Sequence, residues 1–320
     1  MSMQCRHVLW FLVCVIGNAI AVERPLMSVK LMKAQQIEFV VYGDMRFTAP
    51  TEISASVPGA RRALVERIAA LKPQAVLLTG DVPWHGGTLD DYAVYQFETK
   101  SWRSAALQVF PALGNHEFSG CEESVCLENW WRTFPELRGH RWYEVALGSR
   151  VHAIALDSDA SLAADSPQRV WLDQQLSAMP RDVQFVIVYL HHPPVADMAT
   201  GLLASHNPRP NELELATDLK ARAANTRQRY VVVGGHIHNY ARFLQDNVVY
   251  LVSGGGGAKA YPVKRSEQDL YLRQDAANFH FLRFYLKKDV LVAEMVRLTD
   301  PYTTHPHDFE VADRFELRAH

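Results

Sequence analysis

Cysteine is scarce in this chain of 320 residues, at four, and two of the four, Cys5 and Cys14, stand near its start. That scarcity excludes a disulfide-rich scaffold. No second Cys or His pair lies beside Cys121 and Cys126 at finger spacing, which excludes a zinc finger. Excess charge of one sign is missing too, since 33 basic and 35 acidic residues give a formal net charge of −2. Without a basic excess there is no electrostatic footprint for long nucleic acid or an anionic membrane. Repeats and low-complexity linkers are also missing. The apolar run VLWFLVCVIGNAIA at 8–21 is short for a bilayer span and contains Gly17 and Asn18.

With Arg6 and His7 before that run and Ala19-Ile20-Ala21 at its end, residues 1–21 read as an export signal cleaved after Ala21; a permanent anchor is the alternative. The expectation is a secreted or periplasmic protein with no stable membrane span after cleavage, and one domain over 22–320. Cleavage leaves Cys121 and Cys126, either as a small disulfide loop or as two free thiols.

What is present is an alternation of strands and helices. QIEFVVYG at 36–43 reads as a strand, 59–71 as a helix with Ala60, Leu64, Ile68 and Leu71 on one face, and AVLLTGD at 75–81 as a second strand. Strand, helix and strand make a βαβ unit with parallel strands. A helix is expected over 89–103, then a strand leading into GNHE, and a hairpin across Gly148-Ser149. Ser166-Pro167 marks a helix start, and 211–225 a further helix. FVIVYLHH, YVVVGGHIH and NVVYLVSGGGG read as strands, and a hairpin around Lys287-Lys288-Asp289 closes the chain. The whole is α/β in class.

Five strand ends carry polar groups: Gly43-Asp44, Gly80-Asp81, Gly114-Asn115-His116-Glu117, His191-His192-Pro193 and Gly235-His236-Ile237-His238. The carboxyl ends of parallel strands converge on one crevice. Carboxylates, an amide oxygen and imidazoles gathered there suit a metal that takes oxygen and nitrogen donors. Singly, each element has an ordinary reading, because Asp after a strand forms turns and a His-x-His pair is usually a surface pair. Five in this order are hard to dismiss.

These ordered blocks, with the NVVYLVSGGGGAK stretch that follows them, resemble the calcineurin-like metallophosphoesterase superfamily, within it the purple-acid-phosphatase-like branch. The resemblance implies a four-layer α/β/β/α sandwich and two metal ions drawn from manganese, iron or zinc. It implies that Asp81 bridges the ions, that Asp44 and His238 complete one site, and that Asn115, His191 and His236 hold the other. His116 is implied as the group that protonates the leaving oxygen, and His192 as the lesser of its pair. The implied activity is hydrolysis of a small phosphate ester, monoesters favoured. A nucleotidase or phosphodiesterase, or a non-catalytic binding protein that kept the fold, are the alternatives.

Two positions depart from that pattern. Many members carry Asp-x-His in the first block, where this chain has Asp44-Met45-Arg46. A guanidinium has no lone pair to give a metal, so the first site is one ligand short. Arg46 either grips a substrate phosphate or forms a salt bridge that steadies Asp44. Trp84 stands where purple acid phosphatases place a tyrosine, so no purple chromophore is expected. His85 reads as a loop histidine, Asp157 as a turn residue, and His305 and His307 as tail. Phe118, Trp130, Trp131 and Tyr240 are read either as stacking surfaces for a leaving group or as packing anchors. The loops 46–58, 118–141 and 194–210 are the expected rims.

Overall fold

The structure, a computed structural model, describes residues 27–29, 37–198, 201–273, 278–302 and 307–320. The expected export segment 1–21 and His305 lie outside them. The chain begins with β1 (Met27–Ser28), β2 (Glu38–Tyr42), α1 (Pro58–Leu71), β3 (Ala75–Leu78), α2 (Leu89–Glu98), α3 (Lys100–Ser104) and β4 (Gln108–Pro111). Then come α4 (Glu123–Thr133), β5 (Tyr143–Ala146), β6 (Val151–Ala155), α5 (Pro167–Ser177), β7 (Phe185–Leu190) and α6 (Pro210–Asn225). Last are β8 (Arg229–Gly234), β9 (Tyr240–Gln245), β10 (Val248–Ser253), β11 (His280–Lys287), β12 (Val290–Leu298) and β13 (Phe309–Arg318).

The strands form two sheets, ordered β1-β5-β6-β7-β8-β10-β9 and β13-β12-β11-β2-β3-β4. β2, β3 and β4 pair in parallel, as do β6, β7, β8 and β10. The β5–β6 and β11–β12 pairs are the expected antiparallel hairpins.

Period-two alternation decides how the layers stack. In β7, Phe185, Ile187 and Tyr189 enter one apolar cluster, while Val186, Val188 and Leu190 enter the other. β8 repeats this, with Val231 and Val233 opposite Tyr230 and Val232. The second set meets Leu172 and Leu176 of α5 and Leu215 and Leu219 of α6. The first set joins Phe39 and Val41 of β2 and Phe284 of β11, in the cluster that also holds Leu64 and Ile68 of α1. Each such aliphatic side chain contributes about 2 kcal/mol on burial. The order of layers is α/β/β/α, and it leaves the carboxyl ends of both parallel strand sets at one edge.

Local signals behave as written. α1 starts at Pro58, where no backbone N–H is needed, and stops at Lys72 in left-handed geometry (φ 51°) before Pro73. At α5 the Ser166 hydroxyl accepts from the Arg169 N–H at 3.3 Å.

Three expectations fail. The helix over 89–103 breaks at Thr99, whose hydroxyl donates to the Tyr95 carbonyl at 2.6 Å. The 118–141 rim is built around α4 rather than irregular loop. The β11–β12 hairpin does not close the chain, because β13 adds to β12 as an edge strand. Charged side chains on that half-exposed edge hide its strand pattern from a sequence reading. Among the described residues no helix is long and apolar enough to cross a membrane.

Cys121 and Cys126 form a disulfide, Cα atoms 5.8 Å apart, reaching from the loop before α4 into that helix. A loop this short stabilises by about 2 kcal/mol on the chain-entropy account. A Cys121→Ser, Cys126→Ser double variant is therefore expected to melt about 4–8 °C lower by calorimetry. An unchanged Tm would rule out a stabilising bridge.

Candidate metal centre

Five strand ends meet at that edge. Past β2 stands Asp44, past β3 Asp81, past β4 Asn115 and His116, past β7 His191, and past β8 His236 and His238. The chain turns sharply there: Asp44 (φ 61°), Arg46 (φ 48°), Asp81 (φ 54°) and His236 (φ 66°) are all left-handed. Such a conformation costs an L-residue of order 1 kcal/mol, so it persists only where neighbours hold it. Asp44 N–H donates to the Gly80 carbonyl at 3.2 Å, and Arg46 N–H to the Asp81 carbonyl at 2.9 Å. His236 N–H donates to both Asp44 carboxylate oxygens, at 2.9 and 3.1 Å. Gly80 has φ 88°, and a Cβ there would lie 2.7 Å from the Gly114 nitrogen. A Cβ on Gly235 would lie 2.3 Å from Asp44 Oδ2, so no larger residue fits behind that carboxylate.

Glu117 locks the second and third strand ends together. Its buried carboxylate accepts from the Asp81 N–H at 2.9 Å, the Gly114 N–H at 2.8 Å and the Val82 N–H at 2.9 Å. Sequence reasoning gave this residue no role. The signal was available, since a carboxylate three residues into GNHE can reach back to free backbone donors.

The imidazoles are oriented by carbonyls behind them. His191 Nδ1 donates to the Thr79 carbonyl at 2.9 Å, and His238 Nδ1 to the Lys259 carbonyl at 2.7 Å. In each ring Nε2 therefore carries a lone pair aimed into the crevice. Burial lowers the pKa of His191, His236 and His238, which keeps them neutral. Around His191 Nε2 stand Asn115 Oδ1 at 3.0 Å, Asp81 Oδ1 at 3.2 Å and His236 Nδ1 at 3.2 Å. Asn115 Oδ1 lies 3.1 Å from His236 Nδ1. His238 Nε2 is buried with no hydrogen-bond partner, 3.6 Å from Asp44 Oδ1. Lone pairs that face one another across 3 Å repel unless a cation lies among them. Among the described residues the donor atoms of Asp44, Asp81 and His191, and those of His191, His192 and His236, fall within 4.8 Å of one another. Neutral nitrogen with carboxylate and amide oxygen is a donor set for manganese, iron or zinc, so these residues fit a divalent metal.

The carboxylates are tuned apart. Burial, then the charge of Asp81, raises the Asp44 pKa well above the usual range. Burial would also raise Asp81, but its interactions with the facing His191 and His116 rings and the Arg46 guanidinium outweigh it and lower the pKa. Of those three only the guanidinium is charged at every pH. Arg46 Nε and Nη2 stand 3.3 and 3.2 Å from Asp81 Oδ2, and its guanidinium lies 5.1 Å from the centre of the Trp84 ring. The expected partner was Asp44. The left-handed turns at 44 and 46 carry the side chain past Asp44 to Asp81 instead.

His116 donates from Nδ1 to the Trp84 carbonyl at 2.6 Å and stacks on the Trp84 ring, centroids 4.7 Å apart. Its Nε2 points back to the centre, 3.8 Å from Asp81 Oδ2, and its backbone N–H donates to Asp81 Oδ1 at 3.0 Å. Burial lowers its pKa, and the Asp81 charge opposes that shift. All eight site residues expected from the sequence are thus brought together. His192 is also near: its ring lies 4.3 Å from that of His236, and Ser158 Oγ is 2.8 Å from its Nδ1.

The peripheral expectations divide. Trp130 is buried as a packing anchor, and Tyr240 is buried with its hydroxyl donating to Asp313 at 2.8 Å, its ring forming part of a cavity wall. Trp131 and Phe118 pack against the core, with the Arg141 guanidinium over Phe118. His85 is exposed and hydrogen-bonds Ser119. Asp157 is a turn residue, accepting from the Asp159 N–H at 2.9 Å and pairing with Arg141 at 2.6 Å. The aromatic groups that do line the centre are Trp84 and Tyr261, the latter stacked on His238 at 4.1 Å. Tyr261 left no sequence signal.

Solved structures share this architecture. Purple acid phosphatase PPD1 from yellow lupin (Lupinus luteus) seeds superposes with a TM-score of 0.71 at 18% identity over 93% of this chain, which spans 55% of that protein. GAP50, the anchor in the inner membrane complex of Plasmodium, gives a TM-score of 0.63 at 14% identity, covering 89% of each chain. A dimetal phosphatase from Danio rerio gives 0.59 at 13% identity, over 89% of this chain and 99% of that one. At these identities the likeness is one of fold. The sequence itself matches the family model described as calcineurin-like phosphoesterase over residues 37–240, a span that runs from the start of β2 through every strand end described above. By that match and the geometry it encloses, the chain belongs to the calcineurin-like phosphoesterase family.

Proposed function

We propose that the protein is a metal-dependent phosphoesterase acting on small phosphate esters, monoesters before diesters. The observation that carries this reading is the convergence of lone pairs on Asp81, Asn115 and His191, with the His236 ring beside them, next to the inward-facing Nε2 of His116. A divalent ion held by those donors would acidify water to a nucleophile near neutral pH and offset charge on the phosphoryl oxygens. The rest falls to side chains. Arg46 is anchored by Asp81 through Nε and Nη2, which leaves its remaining N–H donors for phosphoryl oxygens. His116, fixed in plane by Trp84 with its Nδ1–H on the Trp84 carbonyl, presents Nε2 to the departing oxygen, where the imidazolium form would hold the proton that this oxygen takes. Glu117 keeps Asp81 and the GNHE turn in register while this happens.

Beside the centre lies a cavity of about 750 Å³ whose walls include Val195, Met198, Ile237, Tyr261 and Val263. None of the donors lines it, but Tyr261 joins it to His238, and its mostly apolar wall suits an aromatic or alkyl group of a substrate. The fold also serves in GAP50, described as an anchor. A binding role of that kind gives no reason for His116 Nε2 to face a full donor set, and turnover does. Residues 1–21 and the Cys121–Cys126 bridge support export to an oxidising compartment, periplasmic or extracellular.

Chelator-treated protein is expected to lose hydrolysis of p-nitrophenyl phosphate and to regain it with manganese, iron or zinc. Bis(p-nitrophenyl) phosphate is expected to turn over more slowly. Failure of both substrates after loading with all three metals would sink the reading.

A further inference from the structure

The first half of the centre is not built as the family pattern implies. Its donors are Asp44, Asp81 and the orphaned His238 Nε2, and the position that would supply a further imidazole is Arg46. The guanidinium does not turn away to solvent. Its side chain is only 12% exposed, forked on Asp81 Oδ2 and flanked by Trp84.

We propose that Arg46 replaces the first ion, so that the chain holds one divalent metal, on Asp81, Asn115, His191 and His236, with the guanidinium as the second positive charge of the centre. This rests on the metal-dependent reading above and narrows it. Charge balance favours it. Two dications beside a permanent guanidinium would set five positive charges against the three carboxyl groups of Asp44, Asp81 and Glu117. One dication with the guanidinium sets three against three, leaving a centre that does not repel its own ion. The same arrangement explains why a buried His238 lone pair facing Asp44 is tolerated: Arg46 supplies the nearby positive field that an ion would supply. It also gives the two positive groups different tasks. An ion held by the imidazoles would supply the acidity that activates water, while the planar fork of Arg46 orients the phosphoryl group.

The test is metal content of the full chain loaded with manganese(II) and desalted, read by elemental mass spectrometry and by electron paramagnetic resonance. The wild type is expected to hold about one manganese per chain with the six-line spectrum of an isolated ion. Arg46→His restores an imidazole and is expected to hold about two, with an exchange-coupled spectrum. As a second variant, Arg46→His combined with Asp44→Asn is expected to return to about one ion, since it takes the Asp44 carboxylate out of the restored half while an amide oxygen there can still accept the His236 N–H. Folding of each variant is checked by its thermal melt. Two ions in the wild type, or one ion in a folded Arg46→His, overturns the role of Arg46 and leaves the phosphoesterase reading intact. No ion in the wild type overturns the metal-dependent reading itself.

Discussion

Asp81→Asn is expected to lower kcat/KM about a thousandfold, about 4 kcal/mol of transition-state stabilisation, and to strip the metal from the protein. Asparagine keeps the shape of the side chain and can still accept from the His116 N–H at Oδ1. What it loses is the negative charge and the Oδ2 oxygen that meets Arg46 at 3.2 Å. The new amide must either turn its N–H groups toward a guanidinium that has only donors or toward the metal position, and neither orientation is favourable. Arg46 would then be a largely buried cation without its carboxylate, so a lower Tm is expected with the lost activity. Steady-state kinetics and elemental mass spectrometry on the same preparation check both halves. Retention of metal and rate would remove Asp81 from the centre.

His116→Ala separates proton delivery from metal chemistry. Its kcat is expected to fall about 10²–10⁴-fold on alkyl phosphates, whose leaving oxygen needs a proton, but less than about tenfold on p-nitrophenyl phosphate, whose anion leaves unaided. Metal content is expected to stay at the wild-type level, because the structure orients His116 through Trp84 rather than through the donor set. A uniform loss across both leaving groups would mean that the imidazole only packs against Trp84. The comparison is made on kcat, since a change confined to KM would point to substrate positioning instead.

The strand ends were legible because each follows an apolar run with a polar residue, four of the five with a glycine between, and those are local signals. Gly80 and Gly235 are needed for close approach, which is why the pattern survives as text. The partner of Arg46 was not legible. Sequence proximity favoured Asp44, two residues away, and only the left-handed backbone at both residues delivers the guanidinium to Asp81. Glu117, Trp84 and Tyr261 were hidden for a related reason, since each acts on a residue brought beside it by the fold. Tyr261 covers His238 from the loop after β10, and nothing in its own neighbourhood marks it. Trp130 and Tyr240 show the opposite failure, because aromatic residues near motifs read the same whether they face a ligand or the core. β13 was missed because edge strands carry the charges that strand patterns exclude.

The separation of the donors along the chain also sets an order of events. His236 and Asp44 touch across 192 positions of sequence, and each sheet supplies only part of the donor set. A nascent or half-folded chain therefore offers nothing for an ion to join, and closing so distant a contact is among the slow steps of folding. Metal capture becomes a late event, coupled to completion of the native state, which an ion present at a thousand times its Kd would stabilise by about 4 kcal/mol. A chain that crossed a membrane unfolded would acquire its ion on arrival. The metal found in the centre would then report the composition of the compartment where folding finished, as well as the preference of the donors.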